Sequence, residues 1–200
     1  MMRRFSVGAT ALFLALFITA CGRSPRVSFY TLSTPANLQA PPAKVAGPAV
    51  AVGPVSIPEV VDRPQMVVRV AANRVEILET HRWAEPLKSE IPRLLARNLG
   101  RLLGSDRVFS YRENVGAQPE YRVLLDITRF ESTPGEAVTV EAVWSIRHGA
   151  GDATRTGHSL VHEKVQGGGY ESMVAAYDRA LELVSADIAK ALLAQAPPVK

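Results

Sequence analysis

With 200 residues, 47% apolar but only 6% aromatic, the chain is long enough for one domain with an aliphatic core, and 21% charged residues argue against disorder. The net charge is +4, of which Arg3 and Arg4 supply two units. The remaining Lys and Arg are scattered among carboxylates, which speaks against a nucleic-acid-binding stripe.

The N-terminus is built as a leader. Arg3-Arg4 forms a positive head, and Phe5–Thr19 forms an apolar stretch too short to cross a membrane comfortably. It ends in Ile18-Thr19-Ala20-Cys21-Gly22, which resembles the bacterial lipobox. That resemblance implies a diacylglycerol on the Cys21 thiol, cleavage before Cys21 and acylation of the new amino group. Residues 1–20 are then a signal peptide, 21–26 a tether and 27–200 the periplasmic domain. One acyl chain anchors only marginally at about 0.8 kcal/mol per methylene, whereas three hold permanently. Cys21 is the single cysteine, so no disulfide supports the fold. Gly22, in place of the aspartate that favours inner-membrane retention, implies the periplasmic face of the outer membrane.

Val27–Leu32 reads as a first strand. Ser33–Pro48, with Pro35, Pro41, Pro42 and Pro48, reads as a loop of extended character. Val50-Ala51-Val52 is a second strand, followed by a proline-punctuated turn over Gly53–Pro58. Met66–Val70 and Val75–Leu78 form a hairpin flanked by two polar islands, Asp62-Arg63-Pro64-Gln65 and Arg82-Trp83-Ala84-Glu85-Pro86-Leu87. These islands allow two readings. In one, charges cap strand and helix ends while Trp83 fills the core. In the other, Asp62, Arg63, Arg82 and Trp83 form an ion-paired, tryptophan-backed corner that faces a protein partner.

A helix follows from Pro86 to Leu103, with Leu87, Ile91, Leu94, Leu95, Leu99 and Leu102 on one face and Arg93, Arg97 and Arg101 on another. Pro92 predicts a kink, and Gly104 a C-cap. Arg107–Tyr111 is a short strand. Tyr121–Phe130 and Ala137–Arg147 alternate around the turn Thr133-Pro134-Gly135-Glu136, which predicts an antiparallel hairpin. Thr156–Val165 is the next strand. Gly167-Gly168-Gly169 leads into a terminal helix, Tyr170–Ala194, whose seam runs Tyr170, Val174, Tyr177, Leu181, Val184, Ile188, Leu192. The expected architecture is a single α+β domain, mainly antiparallel sheet packed by two long helices.

Chemistry is sparse. His158 and His162 share a strand face about 13 Å apart, too far for one metal ion. The three glycines lack the lysine and hydroxyl of a P-loop. No serine has a nucleophile-elbow context, Asp178 and Asp187 read as surface charges, and no carboxylate pair occupies an apolar setting. We therefore expect no enzyme, no metal and no cofactor beyond the acyl groups on Cys21.

The lipobox, Phe29-Tyr30-Thr31-Leu32, Val52–Pro58, Asp62–Gln65, Arg82–Leu87 and Asn98-Leu99, in that order, resemble the PqiC family of ABC-type transport auxiliary lipoproteins. The resemblance implies an outer-membrane lipoprotein that docks an MCE-domain protein, itself served by an inner-membrane transporter, and carries phospholipid or another hydrophobic solute between membranes. It also implies a possible homo-oligomeric ring. The alternative is a structural or envelope-assembly lipoprotein unrelated to lipid transport.

Overall fold

The computed structural model describes residues 25–34, 47–113, 118–149 and 154–194. The leader, Cys21 and much of the proline-rich loop lie outside the described residues. Eight strands and two helices follow in the order β1 (Ser28–Tyr30), β2 (Val50–Ser56), β3 (Gln65–Ala71), β4 (Arg74–Trp83), α1 (Leu87–Leu103), β5 (Val108–Ser110), β6 (Tyr121–Thr133), β7 (Ala137–His148), β8 (Thr154–Lys164) and α2 (Gly169–Leu193). The fold is α+β, as the alternation of periods indicates.

The strands form two mixed sheets, one of five strands in the order β5-β2-β6-β7-β8 and one of three in the order β1-β4-β3. Neighbours in sequence pair antiparallel, as in β3–β4, β6–β7 and β7–β8. Strands brought together from afar pair parallel: β1 with β4, and β2 with both β5 and β6. Tyr121, Val123, Leu125 and Ile127 of β6 and Val138, Val140, Ala142 and Ile146 of β7 turn inward. Both helices cover that inner face, and they also meet each other, where Asn98 Nδ2 donates to Ser185 Oγ at 3.4 Å.

Of the turn expected at Gly53–Pro58, Gly53–Ser56 is instead the second half of β2. Its register against β6 shifts between Val52 and Val55, a bulge that absorbs one extra residue and lets the strand pass Gly53 at φ 107°. A Cβ at Gly53 would stand 2.4 Å from the Tyr111 ring. Helix α1 runs unbroken through Pro92 and ends at Gly104 in the left-handed conformation, with the Ser105 N–H donating back to the Gly100 carbonyl.

One expectation about charge is overturned, and a second buried acid joins it. Asp178 is buried, and its carboxylate accepts the Ser33 N–H at 2.8 Å and the Ser33 hydroxyl at 2.7 Å. Glu90 is buried among the α1 leucines and accepts the Leu32 N–H at 2.9 Å, while its other oxygen has no partner. Burial raises both carboxyls, Glu90 to about 7. The two acids thus hold the segment after β1 against the helix layer. Asp187 is exposed, as expected, and accepts the Ser159 hydroxyl at 2.7 Å.

Candidate partner-docking site

The two polar islands meet because β3 and β4 are a hairpin: its open ends carry residues 62–64 and 83–87 to one place. A short 3-10 turn, Glu59–Val61, sets up Asp62 and Arg63, and the Arg63 N–H closes onto the Val61 carbonyl at 2.9 Å. The Trp83 N–H then donates to the Pro64 carbonyl at 2.7 Å and stitches the islands together. β1 joins them from outside the hairpin, since the Ala84 N–H donates to the Tyr30 carbonyl at 2.8 Å.

The charges do not pair as one corner. Asp62 takes Lys88 Nζ at 2.6 Å rather than Arg63 or Arg82. Glu85 pairs with Arg93, which also donates to the Ser89 carbonyl. Arg82 bonds within its own strand, its Nε to the Glu79 carbonyl at 3.0 Å and its terminal nitrogen 3.6 Å from the Glu79 carboxylate. Short-range reach decides this: each acid takes the base that α1 or its own strand presents nearest. Trp83 is 6% exposed and lies edge-on to Phe130 and Tyr177, with centroids 6.3 and 6.2 Å away; those two rings stack at 4.1 Å. It belongs to the core and shows only a margin at the surface.

That margin opens into a cleft of about 260 Å³ lined by residues 62–64 and 83–87. Of the four residues singled out in the sequence, Asp62, Arg63 and Trp83 line it and Arg82 does not. Arg63 is half-buried, and its Nε is closed off from water with no acceptor. Sequence reasoning missed Glu90 and Asp178, although a signal was there. Glu90 lies three after Leu87 and four before Leu94, and Asp178 four after Val174 and three before Leu181, so each falls on its helix's apolar stripe.

His158 and His162 share the outer face of the large sheet, as expected, but are engaged separately. His158 is 2.9 Å from a Glu141 oxygen and His162 is 3.0 Å from the Thr139 hydroxyl.

The family described as "ABC-type transport auxiliary lipoprotein component" matches residues 30–189. The chain belongs to this family. Among solved structures, the fold recurs in an uncharacterised protein at TM-score 0.69 and 20% identity, covering 84% of this chain and 99% of that one. It recurs in a Xanthomonas campestris protein of the DUF330 family at TM-score 0.65 and 18% identity, covering 83% and 95%. At these identities the likeness is one of fold. No curated protein sequence matches the chain. No helix among the described residues is long and apolar enough to cross a membrane.

Proposed function

We propose that this auxiliary lipoprotein docks an MCE-type intermembrane transport assembly to the outer membrane, where that assembly moves lipid or another hydrophobic solute. The reading rests on one observation above all: a chain matching the transport-auxiliary family over residues 30–189 also carries a lipobox at Ile18–Cys21. Triacylated Cys21 anchors the protein at the periplasmic face. An MCE-domain protein, coupled to an inner-membrane transporter, is the partner, and the surface around Asp62, Arg63, Arg82 and Trp83 contributes to that contact. The protein itself performs no catalysis, and a homo-oligomeric ring would suit a collar around a conduit.

The anchor is tested by Cys21→Ser. The variant should remain an unlipidated precursor and leave the outer-membrane fraction, with its MCE partner no longer recovered there. A variant that still takes up a palmitate analogue and fractionates with the outer membrane would contradict the assignment. Recovery of β-barrel assembly machinery in place of an MCE protein, when the wild-type protein is captured from membranes, would favour an envelope-assembly role.

A further inference from the structure

The cleft over residues 62–64 and 83–87 has an unbalanced charge. Both carboxylates on its rim are taken, Asp62 by Lys88 and Glu85 by Arg93. Arg63, between them, enters no ion pair among the described residues, and its Nε–H has no acceptor. A donor left unsatisfied inside a folded protein calls for an explanation. The guanidinium can fork onto a carboxylate through Nε and one terminal nitrogen, so a modest rotation toward the cleft would let an entering carboxylate take both.

A second feature favours an anion in the same place. Helix α1 begins at Leu87, on the cleft wall, behind Pro86, and no side chain caps it. Uncapped N–H groups and the positive end of the helix dipole therefore add to the Arg63 field. The walls beyond the charge are Pro64, Pro86 and Leu87, which suit methylenes.

The cleft also limits what can enter. The Trp83 and Ala84 N–H groups are spent on Pro64 and Tyr30, so an incoming chain cannot add here as a further strand. A volume of about 260 Å³ is smaller than the ~300–1,000 Å³ typical of pockets that enclose a whole ligand. It admits one or two side chains, and it has no apolar slot for a pair of acyl tails.

From these observations we infer that the cleft receives a glutamate side chain from an exposed segment of a partner protein, with its carboxylate on Arg63 and its methylenes against Pro64 and Pro86. The inference rests on the docking function proposed above and names the chemistry of the contact.

The test uses the mature lipidated protein in detergent and two probes, acetyl-Ala-Pro-Glu-Pro-Ala-amide and its Glu→Gln counterpart, read by NMR shifts of the Trp83 and Ala84 amides. The glutamate peptide should bind at least about tenfold more tightly than the glutamine peptide. Arg63→Gln should remove that preference without lowering the melting temperature. Ala84→Glu, at an exposed position on the rim, should remove it by supplying the carboxylate in cis. Equal binding of the two peptides, no binding of either, or undiminished preference in Arg63→Gln would overturn the inference. So would Arg63-dependent binding of phosphatidylglycerol vesicles or inorganic phosphate without peptide binding, which would assign the cleft to phosphate groups. MCE-partner binding, measured in parallel, separates the two claims. If the partner binds wild type and Arg63→Gln equally, the cleft is overturned and the docking function stands. If the peptides behave as expected and no MCE partner binds, the docking function fails and the cleft stands.

Discussion

Glu90 accepts a backbone N–H from Leu32 inside a layer of leucines, and desolvation there lifts its carboxyl from an ordinary 4.5 to about 7. Below about pH 4.5 both folded and unfolded chains hold the proton. Between about 4.5 and 7 the unfolded chain releases it while the folded one keeps it, so this group's contribution to stability is lost as pH rises through that window. Glu90→Gln keeps an acceptor for Leu32 and removes the titration. The wild-type denaturation midpoint should therefore fall more steeply between pH 5 and pH 7.5 than that of the variant. Parallel pH profiles would show that the buried carboxyl does not couple to folding. Trp83 and Arg63 both line the cleft but differ in kind. Trp83→Ala removes a ring held between Phe130 and Tyr177 and should cost about 3–5 kcal/mol, read as a lowered melting temperature. Arg63→Gln removes a charge that has no ion-pair partner among the described residues and should leave melting within about 0.5 kcal/mol of wild type.

At the scale of elements, β7 and β8 show how one small residue sets a strand pair. Trp144 faces Gly157 across the ladder, and its indole donates to the Ser159 hydroxyl at 3.1 Å. A Cβ on Gly157 would lie 2.1 Å from the indole ring, so Gly157→Ala must displace it. The expected cost is about 1–3 kcal/mol, with loss of protection at the Ser159 and Val161 amides in hydrogen exchange. An unchanged midpoint would mean that the indole has another place to go. Period-based reading located both helices and the β6–β7 hairpin because their large apolar residues recur at 3.6 or 2. It underestimated α2, where Met173, Ala176, Ala180, Ala189 and Ala191 are buried beside the expected seam. That helix touches both the sheet and α1, so it buries more than one stripe, and alanines give no signal of which way they face. The parallel pairing of β2 with β5 and β6 had no local signature, since it joins segments separated by the β3–β4 hairpin and α1. The charged corner was legible as a location but not as a pairing, because Lys88 and Arg93 reach it only once α1 is placed beside the hairpin.

Across the whole molecule, the N-terminal segment links the proposed anchor to the proposed docking site. β1 is the first described strand after the tether and runs beside the end of β4, with Tyr30 opposite Trp83. The Tyr30 carbonyl accepts the Ala84 N–H at the rim of the cleft, and Leu32 and Ser33 are held by Glu90 and Asp178. A six-residue tether reaches at most about 20 Å, so a lipidated Cys21 would keep this surface close to the membrane and require the transport partner to come to it. The most direct test is the equilibrium binding of the mature lipidated protein, in detergent, to its proposed MCE-domain partner. Saturable binding below ~100 μM, weakened by Arg63→Gln at unchanged melting temperature, is the predicted result. Absence of binding by the wild-type protein up to that concentration would contradict the docking function itself.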